Sequence, residues 1–286
     1  MSNNNALCWL NGQLLPAQEA SVSVYDHGLL YGDGVFEGIR FYKNKAFQPV
    51  EHIKRLFDSA QALLLKIPYS IEELTNATID SINASPLDNG YIRLIVTRGE
   101  GSLGMDPSSC KHPNVIMITD RISLISEAVR TQGAKLIIAS TRRLPVDGLD
   151  PRIKSLNYLN PILAKMEAQQ ANADEAVLLN QQGFVAEGSA DNIFIVREGQ
   201  LRTPGLHDGA LAGITRATIL KLAETLDISV TETSLAPYDL YTADECFLSG
   251  TAAELIPVRE IGGREIKHCP GPIFTQIQGA FQNLIL

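Results

Sequence analysis

Over residues 6–45 the apolar positions follow the two-residue period of strands. Ala6-Leu7-Cys8-Trp9-Leu10 and Gln13-Leu14-Leu15 flank Asn11-Gly12, a pair that readily takes the positive φ angles of a tight turn, and so predict a hairpin. The run 35–42, turning at Lys43-Asn44-Lys45, predicts a second. The period then lengthens. Ile53, Leu56, Phe57, Ala60, Leu63 and Leu64 recur at helical steps, and Ser70 with Glu73 forms a capping box ahead of Leu74, Ala77 and Ile82. Residues 91–98 and 115–119 return to strand character. The stretch 120–133 is polar without a clear period, so 121–133 is read as a linker between a small domain at 1–120 and a larger one at 134–286.

The second half opens with a strand at 135–140 and reaches a turn at Asp147-Gly148-Leu149-Asp150-Pro151. A helix follows, with Asn160 as its cap, Pro161 as its first residue and Ile162, Leu163 and Met166 on one face. Residues 176–180, the turn Gln181-Gln182-Gly183 and the alternating run 184–196 read as antiparallel strands. Ile219, Leu222, Ala223 and Leu226 mark another helix, starting near Gly213-Ile214-Thr215-Arg216. Residues 246–249 and the Gly262-Gly263 hairpin add strands, and Ile273, Phe274, Ile277, Phe281 and Leu284 mark a last helix. Strands and helices mix without the regular βαβ rhythm of a doubly wound sheet, which makes the fold class α+β.

At 286 residues the chain can bury one large core or two smaller ones. Hydrophobic residues make up 45% and charged residues 20%, the balance of a soluble enzyme, and no apolar run reaches the roughly 18 residues of a membrane span. Met1-Ser2-Asn3-Asn4-Asn5 lacks the basic start and apolar core of a secretory signal, so the cytoplasm is the expected location. Cys8, Cys110, Cys246 and Cys269 are scattered with no Cys-x-x-Cys pair, and His27, His52, His112, His207 and His268 never fall at metal-binding spacing. Neither a disulfide framework nor a metal site is expected. A net charge of −8, with no compensating Lys/Arg-rich stripe, argues against nucleic acid and anionic membranes as partners.

Gly99-Glu100-Gly101-Ser102-Leu103-Gly104 fits the dinucleotide pattern G-x-G-x-x-G and is the signal for a nicotinamide-dependent oxidoreductase. Such a site needs a helix opening at the third glycine, and Met105-Asp106-Pro107 reads as loop. A more coherent set lies further on. Lys154 follows the Gly/Asp/Pro turn among Ile153, Leu156, Tyr158 and Leu159, and a lysine desolvated in such company becomes a nucleophilic amine able to form a Schiff base. Glu187 lies within the strand region 184–194, where a buried carboxylate needs a cationic partner. The N–H groups at Gly213-Ile214-Thr215-Arg216 suit a phosphate, and the small-residue turn Ser249-Gly250-Thr251-Ala252-Ala253-Glu254 lets backbone N–H groups approach an anion. A lysine, a buried carboxylate and a phosphate-binding helix start are the parts of a pyridoxal phosphate site.

A specific resemblance runs from Trp9-Leu10-Asn11-Gly12 almost to the C-terminus. Asp26-His27-Gly28, Tyr31-Gly32-Asp33-Gly34-Val35-Phe36-Glu37-Gly38-Ile39-Arg40, His52 with Arg55-Leu56, and Tyr91-Ile92-Arg93 carry it in the first half. Lys154 with Asn157-Tyr158-Leu159, Glu187-Gly188, Gly213-Ile214-Thr215-Arg216 and Ser249-Gly250-Thr251-Ala252 with Glu254 carry it in the second. The chain resembles the fold-type IV, or class IV, pyridoxal-phosphate aminotransferases, and within them the branched-chain amino acid aminotransferases. The resemblance implies a sheet-and-helix small domain plus a larger antiparallel, barrel-like domain. It implies transamination of L-leucine, L-isoleucine or L-valine with 2-oxoglutarate, giving branched 2-oxo acids and L-glutamate.

By the same resemblance Lys154 is the catalytic residue, anchoring pyridoxal 5′-phosphate and shuttling a proton. Glu187 faces the pyridine nitrogen, Tyr158 the phenolic oxygen, and Arg55, Ile214, Thr215 and Thr251 the phosphate. Tyr91, Thr251 and Ala252 take the substrate α-carboxylate, Arg93 the distal carboxylate, and Phe36 and Tyr31 wall the side-chain pocket. Arg40 is a further pocket residue or a partner for Glu37 or Asp33. Tyr31 and the loop 101–105 are expected to reach a neighbouring subunit's site, so a homodimer is implied. D-amino acid and (R)-amine transaminases and aminodeoxychorismate lyases share this scaffold and stand as alternatives, although Asn157-Tyr158-Leu159 and Phe36-Glu37-Gly38-Ile39-Arg40 favour a transaminase over a lyase.

Overall fold

The computed structural model describes residues 6–122 and 126–285. Residues 1–5, on which the reading of the N-terminus rests, and 123–125 of the expected linker lie outside the described residues. The chain divides into two compact units, one of Met1–Ile122 with the short segment Ile153–Asn157, the other of Ser123–Arg152 with Tyr158–Leu286.

In the first unit β1 (Leu7–Leu10) and β2 (Gln13–Pro16) form the expected hairpin, with Asn11 and Gly12 at φ of 50° and 95° in its turn. The short helix α1 (His27–Tyr31) is capped by Asp26, whose side chain accepts the Gly28 N–H. Then come β3 (Gly34–Tyr42) and β4 (Lys45–Ala46), the predicted second hairpin, and the helices α2 (Pro49–Ala62) and α3 (Ile71–Ala84), the latter starting at the predicted Ser70–Glu73 capping box. With β5 (Gly90–Thr97) and β6 (Asn114–Asp120), the strands described here make one antiparallel sheet in the order β2-β1-β6-β5-β3-β4.

The period-two pattern gives this sheet two different faces. Val35, Ile39 and Phe41 of β3, Ile92, Leu94 and Val96 of β5, and Val115 and Met117 of β6 pack against Ile53, Leu56 and Ala60 of α2 and Leu74, Ala77 and Ile82 of α3. Each large apolar side chain buried there contributes about 1.5–3 kcal/mol by leaving water. The opposite face carries Phe36, Gly38 and Arg40, directly across from Ile95, Arg93 and Tyr91. The segment Ile153–Asn157 runs along β3 like a short strand. Phe36 N–H donates to Lys154 O and Leu156 N–H to Gly34 O, each at 2.9 Å, and Ser155 makes an antiparallel bridge to Val35.

In the second unit α4 (Glu127–Gln132), capped by Ser126, occupies part of the stretch read as linker; it fully buries no residue and sets the half-buried Val129 against the core, too little for its sequence to show an apolar period. It is followed by β7 (Ala134–Ile138), α5 (Leu159–Gln170), β8 (Glu175–Leu179), β9 (Val185–Gly188), β10 (Asn192–Arg197), β11 (Gln200–Thr203) and α6 (Ile214–Thr225). Next come β12 (Val230–Glu232), α7 (Pro237–Tyr241), β13 (Glu245–Gly250), β14 (Glu254–Ile261), β15 (Arg264–Glu265) and α8 (Pro272–Ile285). Among the described residues the sheet order is β12-β11-β10-β13-β14-β7-β8-β9, with β15 paired to β14. The antiparallel expectation holds for β8 with β9 and for β10 with β11 and β13, but β7 pairs in parallel with both β8 and β14, and β11 with β12. The sheet is therefore mixed, and α5 supplies the crossover that parallel neighbours such as β7 and β8 need. The run 184–196 is two strands, broken where Gly188 N–H donates to Asp191 O at 2.7 Å.

The helix α5 departs from expectation in its start and its face. It begins at Leu159 with Tyr158 in the cap position, while Asn160 donates its side-chain amide to Arg142 O at 2.7 Å. Its buried face is Pro161, Ala164 and Ala168, because small side chains let the helix lie close on Ala176 and Leu178 of β8. Ile162, Leu163 and Met166 point outward at 48%, 50% and 48% exposure. Among the described residues no helix is long and apolar enough to cross a membrane.

The two kinds of apolar position should respond differently to truncation. Leu94→Ala, at a site with 0% exposure, should cost about 2–5 kcal/mol, and Ile162→Ala at 48% exposure should change stability by no more than about 0.5 kcal/mol. Urea denaturation followed by circular dichroism reads both, and equal losses would show that something covers the outward face of α5.

Candidate active site

Each unit carries its own set of the predicted residues. In the first, Lys154 is half-buried at the edge of β3 rather than buried, and its backbone N–H donates to Ser59 Oγ of α2 at 3.1 Å. Its Nζ stands 4.6 Å from the centre of the Phe36 ring. Arg93 lies over the same ring, with Cζ 4.6 Å from its centre and 5.5 Å from that of Tyr91. Phe36, Tyr91, Arg93 and Lys154 thus form one group on the face of the sheet away from the core. Glycine at position 38 is required here, since a Cβ would come within 1.8 Å of the Tyr91 hydroxyl oxygen. Arg40, two residues further along β3, lies over the Tyr42 ring at 5.1 Å.

Glu37 points to the core side of the same strand and is fully buried. It accepts hydrogen bonds from Arg55 Nε at 2.7 Å, Arg55 Nη2 at 2.9 Å and His52 Nδ1 at 2.8 Å. Burial alone raises its pKa, but the charge of Arg55 and the bonds from His52 and Arg55 outweigh it and leave the carboxyl at about 2. Burial holds the His52 imidazole below its usual range in spite of Glu37. Neutral His52 therefore carries its proton on Nδ1, facing the carboxylate, and its Nε2 is a buried acceptor with no hydrogen-bond partner among the described residues. Asp33, the other partner considered for Arg40, pairs with Arg98 at 2.9 Å.

Tyr31 donates its hydroxyl to Leu103 O, and His27 Nε2 lies 2.8 Å from Ser102 O, so α1 holds the loop 101–105. The loop carries the glycine motif. Among the described residues no helix opens at Gly104, only a single turn at Pro107–Ser109, so the motif lacks the helix N-terminus that a dinucleotide pyrophosphate needs.

In the second unit Glu187 of β9 is buried and both oxygens are engaged. Oε1 lies 2.7 Å from Arg143 Nη2, and Oε2 accepts the Leu211 N–H at 2.9 Å. Arg143 is the cationic partner that a buried carboxylate demands, and motif comparison alone did not single it out. The usable signal was that demand, since Arg142-Arg143 follows a strand and precedes the Gly/Asp/Pro turn. Leu211 O in turn accepts the Asn192 side-chain amide at 3.0 Å. The approach to α6 is thereby tied to β9 and β10.

The helix α6 starts at Ile214 with Gly213 in the cap position and no side-chain cap bond. A Cβ at Gly213 would meet Asn192 Oδ1 at 2.0 Å, and one at Gly250 would meet Asp191 Oδ1 at 2.3 Å. Asp191 and Asn192 therefore crowd both the α6 start and the turn leading to Thr251 and Ala252, and a side chain at Gly213 or Gly250 would have to push them aside. The first-turn N–H groups, the buried Thr215 and the half-buried Thr251 are donors of the kind that suits an anion. Ser249 Oγ, beside that turn, is fully buried and has no hydrogen-bond partner among the described residues. Tyr158 is half-buried at the head of α5.

The sequence and fold that carry an uncapped helix start, a carboxylate paired with an arginine and an amine set over an aromatic ring match known enzymes. Residues 34–261 match the family described as amino-transferase class IV, and the chain belongs to that family. A provisionally named branched-chain-amino-acid aminotransferase of Methanocaldococcus jannaschii is 48% identical over 278 residues, 96% of this chain and 95% of the relative. The crystal structure of Escherichia coli branched-chain amino acid aminotransferase superposes with a TM-score of 0.95 at 36% identity, covering 98% of this chain and 94% of that one. The T.th. branched-chain amino acid aminotransferase complexed with N-(5′-phosphopyridoxyl)-L-glutamate gives a TM-score of 0.92 at 37% identity, over 98% and 94% of the two chains.

The buried Glu37 group has a definite pH signature. Its pKa of about 2 lies below that of an unfolded glutamate, so its stabilisation is complete above about pH 4.5 and is lost as the pH falls toward 2. Glu37→Gln removes one partner of a buried ionic network and should cost about 3–5 kcal/mol near neutral pH. The stability gap between wild type and variant should narrow as the pH is lowered from 4.5 to 2, and a constant gap in denaturation midpoints would mean the charge is not what matters.

Proposed function

We propose that the chain is a pyridoxal-phosphate-dependent aminotransferase exchanging amino groups between L-leucine, L-isoleucine or L-valine and 2-oxoglutarate. The observation that carries this reading is the group of Lys154, Phe36, Tyr91 and Arg93 on one sheet face, which combines a nucleophilic amine, an apolar wall and a carboxylate-binding cation. The donor set also suits the cofactor: Glu187 can share the proton of a pyridine nitrogen, and the uncapped start of α6 suits its phosphate. Bound there, pyridoxal phosphate supplies a carbonyl carbon that links to amines and a ring that takes up the electrons released at Cα.

The residues then divide the work. Lys154 Nζ would anchor the cofactor and would be the group that moves a proton between the substrate Cα and the cofactor C4′. Its backbone bonds to the edge of β3 keep that amine in place while its side chain changes partner. Glu187 holds the pyridine nitrogen in its protonated form. Ile214, Thr215, Thr251 and Arg55 bind the phosphate, Arg55 with its guanidinium plane already fixed by Glu37, and Tyr158 meets the phenolic oxygen. Tyr91, Thr251 and Ala252 bind the α-carboxylate. Arg93 meets the distal carboxylate of glutamate or 2-oxoglutarate, while Phe36, Tyr31 and Arg40 border the side-chain pocket.

The reading includes a homodimer. In the first unit Val24, Leu29, Leu103 and Met105 are 70%, 65%, 67% and 83% exposed, an apolar surface that a second copy would cover, with Tyr31 and the loop 101–105 reaching that copy's substrate. Four free thiols, two of them buried, suit the reducing cytoplasm. Sedimentation velocity tests the assembly. Met105→Glu should yield monomers with little turnover, and fully active monomers would defeat the shared-site reading.

The purified protein should absorb in the visible, L-leucine and L-glutamate should bleach the band, and D-alanine should not. Lys154→Ala should lose turnover and borohydride-trappable cofactor, and a pyridoxyl label on another lysine would overturn the anchor. Arg93→Leu should lower kcat/KM for L-glutamate by roughly 10- to 100-fold, the loss of one charge-assisted hydrogen bond of about 1.5–3 kcal/mol, and affect L-leucine far less. If both donors fall equally, Arg93 binds the α-carboxylate they share.

A further inference from the structure

Arg143 makes more connections than an ion pair needs. Only 9% exposed, it donates Nη2 to Glu187 Oε1 at 2.7 Å, Nε to Gly209 O at 3.3 Å and Nη1 to Asn160 Oδ1 at 3.5 Å. Its own backbone is fixed at the end of β8, where its N–H donates to Leu179 O at 2.8 Å and its carbonyl accepts from Gln181 Nε2 at 3.2 Å. The guanidinium thus joins β9, the head of α5 and Gly209, and Leu211 two residues on from Gly209 donates to the other oxygen of Glu187.

We propose that Arg143 is a positioning residue for the cofactor, acting through Glu187 to keep the pyridine nitrogen protonated. The inference rests on the reading that Glu187 faces that nitrogen. Two physical arguments carry it. A carboxylate buried without a cation is costly and takes up a proton or turns away, and a neutral carboxyl no longer favours a positive ring nitrogen. A guanidinium does not give up its proton, so the proton shared at Glu187 is the ring's; a lysine in the same place could hand over its own. The bond through Nη2, with Nε held by Gly209 O, also fixes the plane of the cation and hence the direction in which Glu187 points.

The test uses holoenzyme and four proteins: wild type, Arg143→Gln, Glu187→Gln and the double variant. The first readout is the pH titration of the bound cofactor's visible band. Loss of the ring proton removes a positive charge conjugated with the nitrogen linking Lys154 to the cofactor, so that nitrogen keeps its proton to higher pH. Both single variants should move the midpoint upward, and the double variant no further than Glu187→Gln. Single-turnover proton transfer should slow by roughly 10- to 100-fold in Arg143→Gln, the scale of losing an outer partner of a site residue, with the two substitutions far from additive. A wild-type midpoint in Arg143→Gln alongside a shifted one in Glu187→Gln overturns the proposal and leaves the role of Glu187 standing, as do additive effects. If Glu187→Gln itself shifts nothing, the assignment of Glu187 fails and the proposal falls with it. Should Arg143→Gln not fold, judged by circular dichroism of the apoprotein, Arg143→Lys takes its place. Its midpoint should fall between wild type and Glu187→Gln, and a wild-type midpoint there overturns the proposal.

Discussion

The short pairing of Ile153–Asn157 with the free edge of β3 is the constraint on which the first unit's chemistry depends. Two backbone bonds of 2.9 Å, Phe36 N–H to Lys154 O and Leu156 N–H to Gly34 O, place the lysine without using its side chain. An amine with the proposed role of Lys154 has to exchange covalent partners, so an anchor through the side chain would be lost at each turnover. The same pairing fixes Lys154 relative to Phe36, and the pairing of β3 with β5 then brings Tyr91 and Arg93 onto the same face. One edge and one register therefore assemble four side chains drawn from distant parts of the chain.

Burying a carboxylate imposes the second constraint, and both units meet it in the same way. Glu37 lies on the core side of β3 and Glu187 on β9, and each is held by an arginine, Arg55 and Arg143, at 2.7 Å. Apolar side chains at those positions would pack at no electrostatic cost, and paired ions often add little to stability. What the pairs give is direction. Glu37 occupies Nε and Nη2 of Arg55 together and so sets the plane of the guanidinium, whereas Arg143 and the Leu211 N–H set the plane of the Glu187 carboxylate. In the first unit the carboxylate orients a cation suited to phosphate; in the second the cation orients a carboxylate suited to a ring nitrogen.

Features governed by near neighbours in sequence were legible before the structure. The Asn11-Gly12 and Lys43-Asn44-Lys45 turns, the Ser70–Glu73 cap and the two faces of β3 and β5 follow from periods and propensities that act within a few residues. Three readings went astray for identifiable reasons. The helix α4 has no apolar period because it is short and sets only a half-buried residue, Val129, against the core, the large apolar stripe of α5 faces outward because its alanines let it lie closer to β8, and the parallel partners of β7 depend on crossovers that local pattern does not encode. At the proposed site, Lys154 and Glu187 were singled out by motif and burial arguments, but the edge pairing of 153–157 and the choice of Arg143 are tertiary. Nothing near Arg143 in the sequence distinguishes it from Arg142, and only the fold shows which of the two meets the carboxylate.

The group on the outer face of β3 also bears on how one pocket could take both an apolar and a doubly charged substrate, as the proposed function requires. A lone arginine in an apolar pocket would repel a leucine side chain by the cost of stripping its own water. Arg93 instead lies over the Phe36 ring at 4.6 Å and close to the Tyr91 ring at 5.5 Å, and a guanidinium, being weakly hydrated and planar, is partly stabilised by such faces. Its charge can then stay where it is while an isobutyl group packs beside it, and its donors remain oriented for a distal carboxylate when glutamate is bound. Gly38 makes the arrangement possible, because any side chain there would displace the Tyr91 hydroxyl and with it the second of the two rings. On the proposed function, a residue with no side chain is in this sense a determinant of substrate range.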